Sequence, residues 1–563
     1  MDAVPNAERT KTLLWAAVII IALISFFILL SDGLFVIFGF DTPDYILLAR
    51  SMALGHGYAE INIPGLPAHT QYPPGLPLLL TPVLYLLGYN LMWMHIIILV
   101  SAFLSIYVIK RLFESEADNF LGIAIALLTL SNFYFISFTR EILSEVPYTF
   151  FSLLAIIFFE KYLADDSRRR YLALFIAALA ASYLTKMIGV TLYAGALTAI
   201  ILKAIKEKRE TPPPVKKILF FAVAAISPFL LLMARNALLS TGGNTYQAIF
   251  FNADYYNAES GVTGAIDLLT RLASNLNTYL LLPSKMIFIY LDYGRTPPLV
   301  FGALTFITTT LMLYGLLHEL YKKGGCREFY VIFFFGLIIA WPAYGIGDSF
   351  RYLIPMIPFF YYYLFIGIRL SAHNITALLQ KRPVERAKLL LYPCLILLAL
   401  NLLSQKGILL TTEIARRVHE SIVLLDKNSL KKFNIISEKT VFTSELKSLP
   451  PCFTHYLSSS YFLRSIMRPG DVATARKARL TALITGGYVL KFPFTHKSEK
   501  MLEFFTRENI DYVLIDRCYP ETRDYIIPFF NENNDLFEMP DKNYLVFRFK
   551  GRDKTKIISP ATE

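Results

Sequence analysis

Charge is what this sequence most lacks: Asp, Glu, Lys and Arg make up 17% of its residues, while 55% are hydrophobic. An ordinary soluble domain is about a quarter charged, so the deficit points to lipid as the solvent for much of the chain. Cysteine is scarce as well, with four in 563 residues. Those four show no metal-type spacing, since Cys326 falls in a loop, Cys394 in an apolar run, and Cys452 and Cys518 near the C-terminal end. No Gly-rich loop of the phosphate-cradling or dinucleotide type is present, so no nucleotide site is legible. His56 and His69 share one loop without ligand spacing and make a poor zinc site. No internal repeat is evident, which weighs against the repeat-built transporter folds. The formal net charge of +12 does not indicate nucleic acid, because the basic residues alternate with apolar runs instead of forming one patch.

What is abundant is apolar length. Runs able to cross a membrane need about 20 residues. Candidates lie at 12–33, 90–112, 119–138, 143–162, 171–185, 187–205, 217–239, 298–320, 329–347, 352–370 and 388–404. The run from 171 to 205 is too long for one crossing and contains Lys186, which is costly at bilayer depth, so it is split into a hairpin with Lys186 at an interface. The first run is too long for a signal-peptide core and lacks a small-residue cleavage site, which makes it a retained span. Lys and Arg concentrate in alternate connections, such as Lys110–Arg111, Arg168–Arg170, Lys203–Arg209, Lys322–Arg327 and Lys381–Lys388. The positive-inside rule then puts the N-terminus in the cytoplasm of a cell whose inner membrane holds the protein. It leaves two large loops outside, 34–89 and 240–297, together with everything beyond 405. The expected architecture is an α-helical polytopic membrane domain over 1–404, followed by a small extracytoplasmic α/β domain over 405–563. If that tail is extracytoplasmic, Cys452 and Cys518 fit a disulfide as well as they fit two buried thiols.

The first outer loop is the richest in chemistry. Asp41 and Asp44 stand just past the first span, before a short amphipathic helix over Tyr45–Leu54 suited to the membrane surface, and Gly55-His56-Gly57 ends it. Then come Tyr58 and the stiff turn Gln71-Tyr72-Pro73-Pro74-Gly75-Leu76-Pro77, entering a second interfacial segment that stops at Gly88. A carboxylate at the mouth of a membrane protein suits a general base acting on an acceptor hydroxyl or amine. Helix capping by Asp44 and simple solvation of Asp41 explain the same residues equally well. Between the third and fourth spans, Arg140, Glu141, Ser144, Glu145 and Pro147 put two acids one helical turn apart at a span entry, either as site residues or as an anchoring ion pair with Arg140. Lys186, Arg235 and Arg351 are the cations at the outer boundary, placed to hold a phosphate or to snorkel. Tyr45, His56, Tyr58, Tyr72 and Glu141 are the candidates to line a donor or acceptor pocket.

Taken in order, these motifs resemble the GT-C membrane glycosyltransferases. The similarity is greatest to the bacterial and archaeal relatives of protein O-mannosyltransferases and lipid A aminoarabinose transferases. It rests on Asp41 with Tyr45, Ala49 and Gly55-His56-Gly57-Tyr58; Tyr72-Pro73-Pro74-Gly75 with Pro77; Ser144-Glu145 with Pro147; Leu184-Thr185-Lys186 with Gly189; Arg235-Asn236; and Arg351-Tyr352 with Pro355. The resemblance implies a sugar donor carried on a polyprenyl phosphate and an inverting transfer to an extracytoplasmic lipid, glycan or protein. By position Asp41 matches the family's catalytic Asp and Glu145 its second acid, with Asp44 beside them. Lys186 departs from the Arg that many relatives carry. Some relatives use a divalent cation and others do not; the residues here lean against one. A transporter or flippase of lipid-linked sugars is the rival reading, but its relay acids belong at mid-membrane, and these acids map to one boundary.

Overall fold

The computed structural model describes residues 41–114, 119–164, 169–207, 215–239, 246–252, 261–288, 297–342, 350–378, 393, 396–397 and 451–551. The expected span at 12–33, that at 388–404 apart from residues 393, 396 and 397, and the first part of the expected tail domain, 405–450, lie outside the described residues.

Two helices build the first loop: α1 (Thr42–Ala53) and α2 (Gly75–Leu87). Among the described residues, six helices are long and apolar enough to cross a membrane. They run over Trp93–Phe113, Glu145–Ala164, Met187–Lys206, Leu219–Leu239, Pro298–Lys322 and Ile354–Ile375. A seventh candidate is the pair Phe120–Leu130 and Phe133–Thr139, bent by 60°. Asn132 stabilises that bend: its side-chain oxygen accepts from the N–H groups of Tyr134 and Phe135, and its Nδ2 donates to the Met286 carbonyl at 2.7 Å. Expected spans 171–185 and 329–347 are present as the shorter helices Arg169–Thr185 and Cys326–Ala340, of 17 and 15 residues. At a rise of about 1.5 Å per residue they fall short of a hydrocarbon core of about 30 Å. The long run breaks where its charge sits, because Lys186 is extended between Arg169–Thr185 and the 3₁₀ turn Met187–Gly189.

Two features of the loops expected outside differ from expectation. Helix α1 does not lie on a lipid surface with one face bare, since nine of its twelve residues, Thr42 to Ala49 and Ser51, are buried in protein. Within the loop expected over 240–297 stands a 23-residue amphipathic helix, Ala265–Ile287.

Residues 451–551 form a five-stranded mixed sheet in the order β2-β1-β3-β5-β4, over Val472–Ala475 (β1), Tyr488–Leu490 (β2), Tyr512–Leu514 (β3), Phe537–Glu538 (β4) and Val546–Phe549 (β5). Strands β2, β1 and β3 are parallel, and β5 and β4 are antiparallel additions. β1 is buried throughout, as a central strand covered on both faces must be. The helix following β1, Ala478–Thr485, is labelled α3. A disulfide joins Cys452 to Cys518, which resolves the two alternatives for those thiols.

This domain is docked onto the first loop. Val489 donates its N–H to the Asn62 carbonyl at 2.9 Å, and the Asn62 Nδ2 donates back to the Val489 carbonyl at 3.1 Å. The apolar core runs without a break from Tyr45 and Leu76 through the spans to Tyr456 and Ala473 of the sheet domain.

Candidate active site

Helix α1 starts with an oddity. Asp41 occupies its N-cap, where a carboxylate ordinarily satisfies a free N–H, yet its side chain caps nothing. It turns outward instead, accepting from the Tyr72 hydroxyl at 3.0 Å and pairing with Arg351 Nη2 at 2.7 Å. Arg351 reaches on through Nε to Glu145, and Lys186 Nζ meets the same Glu145 oxygen at 2.6 Å. Four segments distant in sequence thus form one continuous chain of charge: Asp41, Arg351, Glu145, Lys186.

The four are not equivalent. Glu145 is fully buried, with Oε1 taken by both cations and Oε2 buried without a hydrogen-bond partner. Its helix begins at Glu145 itself, and Pro147 is tolerated in that first turn because no intrahelical donor is lost there. Asp41 keeps 25% of its side chain exposed, so among these acids it is the one a substrate can reach. Burial pushes the Asp41 carboxyl up, but Arg351 and the Tyr72 hydroxyl outweigh it and hold it below the usual carboxylate range. Glu141 lies alongside, where burial raises it to about 7 against the opposing pull of Arg351. Tyr45 donates to the Ser144 hydroxyl at 3.1 Å, fastening α1 to the entry of the Glu145 helix.

Gly75 explains the stiff turn after Tyr72. A Cβ there would lie 2.4 Å from the Leu184 carbonyl oxygen, so only glycine lets this backbone press against the end of the helix that stops before Lys186. The contact fixes Tyr72, the partner of Asp41, relative to Lys186, the partner of Glu145.

A second set of contacts backs the first. Arg479, the second residue of α3 in the sheet domain, pairs with Asp44 and donates to both Glu60 oxygens, at 2.7 and 3.2 Å. Glu60 meets His69 Nδ1 at 2.6 Å, while the Tyr72 N–H donates to His69 Nε2 at 2.7 Å. Those two bonds select the neutral tautomer with its proton on Nδ1. Burial is the main reason His69 lies below its ordinary value, against the pull of Glu60. Burial opposes ionisation of Glu60, but Arg479 and His69 bring it down to about 2. Asp44 goes the other way, to about 6, through burial and the nearby Asp41 and Glu60 charges, which Arg479 only partly offsets. Asp44 neither caps the helix nor faces water; it is 9% exposed and held by Arg479.

Among the cations expected to hold phosphate, Lys186 and Arg351 come together on Glu145, but Arg235 is placed elsewhere. Its guanidinium donates to the carbonyls of His69 and Tyr58, at 2.7 and 3.3 Å, and to Asn236. Asn236 in turn donates to the Thr70 carbonyl at 3.1 Å. Arg235-Asn236 is therefore a clamp on the backbone of the first loop, holding the two sides of its antiparallel bridge Ala59–Ala68, where the Tyr58 carbonyl also accepts from the His69 N–H at 2.9 Å. The Tyr58 hydroxyl donates to the Tyr72 carbonyl at 3.0 Å, reinforcing the same loop, and His56 is exposed in the turn between Gly55 and Gly57. The sequence reading missed Glu60, His69 and Arg479 as site residues. Glu60 and His69 offered a weak signal as an acid and an imidazole in one loop; Arg479, one of many basic residues in the tail, offered none.

Among the described residues, no group of three or more His, Cys, Asp and Glu side chains is arranged to hold a metal ion.

Residues 71–232 match a mannosyltransferase family. Its description is dolichyl-phosphate-mannose-protein mannosyltransferase. The matched stretch of this mannosyltransferase-like chain contains Tyr72, Gly75, Glu141, Glu145 and Lys186, while Asp41, Arg235 and Arg351 fall outside it. The resemblance read from the ordered motifs is borne out by this match, and glycosyl transfer is the activity class it supports. Among solved structures, the chain is similar to ArnT from Cupriavidus metallidurans bound to undecaprenyl phosphate. That pair is 12% identical over 96% of this chain and 98% of ArnT, with a TM-score of 0.48. It is also similar to the oligosaccharyltransferase AglB from Archaeoglobus fulgidus, in complex with an inhibitory peptide and a dolichol-phosphate, at 11% identity over 90% of this chain and 69% of AglB, TM-score 0.45. No curated protein matches the chain.

Proposed function

We propose that this protein is an inverting glycosyltransferase that moves a sugar from a polyprenyl-phosphate carrier to an extracytoplasmic acceptor, with Asp41 as general base. The observation that carries the reading is the charge chain Asp41–Arg351–Glu145–Lys186, in which a reachable carboxylate stands next to two cations held by a buried acid. The description of the matching family, dolichyl-phosphate-mannose-protein mannosyltransferase, supports a donor sugar carried on a lipid phosphate.

In this reading the donor phosphate enters beside Lys186 and Arg351, where Arg offers a fork and Lys a point charge. It draws Arg351 away from Asp41. The Asp41 carboxylate, held below its usual range by that guanidinium, then becomes a stronger base. The acceptor oxygen or nitrogen attacks the anomeric carbon, and its proton passes to Asp41. The bond from that carbon to the phosphate oxygen breaks, the electron pair leaves with the phosphate, and Lys186 and Arg351 stabilise the charge left there. Glu145 is a positioning residue, buried beyond the reach of substrate. Charge stabilisation comes from side chains, so the step as written calls for no divalent cation.

The face on which this happens is read as extracytoplasmic for two reasons. Basic residues concentrate in the connections assigned to the other side, and a disulfide in the docked domain suits an oxidising compartment. A cysteine at exposed Lys500 tests it: Lys500→Cys should react with an impermeant thiol reagent on intact cells, and reaction only after lysis inverts the topology.

The deciding experiment is transfer from a radiolabelled polyprenyl-phosphate sugar in membranes carrying Asp41→Asn. Loss of transfer with normal insertion and an unchanged thermal midpoint is expected. Full activity in that variant removes Asp41 from the role of base.

A further inference from the structure

Helix α1 has a second end that sugar transfer as described does not use. Asp41 stands at its start, and its last turn carries Arg50, which a rise of about 1.5 Å per residue puts roughly 14 Å away. The residues of α1 not buried in protein are Arg50, Met52 and Ala53, and Leu54 after them is 58% exposed. A helix dipole favours a cation in that turn, but it leaves the guanidinium donors unspent. Among the described residues, Arg50 forms no side-chain hydrogen bond and no ion pair. Arg464 is placed in the same way, in the last turn of the sheet-domain helix Pro451–Ile466, and it too has no such partner among the described residues.

Two tyrosines connect these arginines. The Tyr89 hydroxyl is buried and makes no hydrogen bond, a state that costs free energy for a polar group. Burial raises that hydroxyl; the charges acting on it are Arg50, which opposes the rise, and Tyr461. Burial raises Tyr461 as well, to about 12, and Arg464 opposes it. Among the described residues no carboxylate acts on either hydroxyl, so the charge at this place is of one sign.

The surface leading to it is apolar. α2 contains no charged residue; Leu76, Leu80 and Leu84 face the core, whereas Leu78, Tyr85 and Leu86 are 46%, 75% and 73% exposed. The bare face continues on the next span through Trp93, Val100 and Tyr107, one heptad apart and all exposed. Tyr89 sits at the junction, directly after Gly88, whose φ of 66° ends α2. Met52 and Thr81, in contact at 3.8 Å, fasten the end of α1 to the same helix. A lipid-facing apolar strip that ends at two guanidinium groups matches the two parts of a phospholipid, acyl chains and phosphodiester.

We propose that Arg50 and Arg464 hold the phosphate of a membrane phospholipid whose acyl chains lie along the bare face of α2. The Tyr89 hydroxyl donates to the same phosphate. The site lies at the opposite end of α1 from Asp41 and the cations read as holding the donor phosphate, and it does not depend on that reading. Its effect is mechanical: one lipid ties α1 through Arg50 and the sheet domain through Arg464 to the same leaflet.

The test is native mass spectrometry of the purified full-length protein, titrated with phosphatidylglycerol in detergent. The wild type and Lys186→Gln should bind the lipid with equal affinity. Arg50→Gln/Arg464→Gln should bind it about tenfold more weakly, and Tyr89→Phe about threefold more weakly. In the wild type, which needs no altered fold, phosphatidylglycerol should protect Arg50 and Arg464 from phenylglyoxal, read residue by residue. Glycerol 3-phosphate, an anion without acyl chains, should protect neither arginine at the same concentration. Protection by it equal to that by the lipid makes this a site for soluble phosphates and overturns the lipid assignment. Equal affinity in the Gln pair and the wild type, or labelling of both arginines indifferent to lipid, overturns the site itself. Loss of binding in Lys186→Gln but not in the Gln pair moves the lipid to the donor place and overturns it as well.

Discussion

Arg479 and Asp44 are 435 residues apart in sequence and in direct contact, the guanidinium of a sheet-domain helix set against an acid in the first turn of α1. Through Glu60, His69 and Tyr72 the same guanidinium is connected to Asp41. The C-terminal domain is thus part of the wall behind the candidate base and not a separate appendage.

Arg479→Ala should leave Asp44 and Glu60 without their cation. Removing one partner of a buried ion pair costs about 3–5 kcal/mol, and the thermal midpoint of the detergent-solubilised protein should fall accordingly. Combining it with Glu60→Gln should cost less than the sum of the two single changes, because the second removes a charge the first has stranded. Strict additivity would mean that the pair is not coupled.

Glu145→Gln should lower transfer by about a hundredfold or more, since one oxygen of Glu145 holds both cations that face the leaving phosphate. Side-chain volume is almost unchanged. The loss should therefore appear in the rate and in donor affinity, with the sheet domain still docked as judged by limited proteolysis.

Two acids of the first loop pull stability in opposite directions with pH. Glu60 falls from 4.5 to about 2 on folding, so the unfolded chain binds more protons, and its contribution of about 3 kcal/mol is present above pH 4.5 and lost as pH falls toward 2. Asp44 rises from 3.8 to about 6, so its contribution is present below 3.8 and lost as pH rises through 6. Thermal midpoints should therefore be highest at about pH 4 and lower on both sides. Asp44→Asn should remove the fall between about pH 4 and pH 6, and Glu60→Gln the fall on the acid side.

Gly75→Ala puts a methyl group where the Leu184 carbonyl stands. Overpacking of this kind costs about 1–3 kcal/mol. Because the displaced turn carries Tyr72, transfer should drop with it, whereas Gly336→Ala, in a position with open space around it, should change neither.

The sequence by itself determined the parts that are properties of a single stretch of chain. A span of about 20 apolar residues announces itself because lipid tolerates no unpaired backbone, and Lys186 in the middle of an apolar run marks a break because its charge is costly at bilayer depth. Asp41, Glu145 and Arg351 were legible because charges at the mouths of spans are costly and the motifs occur in order. Tertiary structure alone decided the rest. It buried α1 in protein where the pattern suggested lipid, gave Arg235 to the carbonyls of the first loop, and brought Glu60, His69 and Arg479 behind Asp41. Those outcomes depend on which charges and loop carbonyls come within about 3 Å of one another across hundreds of residues, and hydrogen bonds and ion pairs at that range leave no periodicity in the chain.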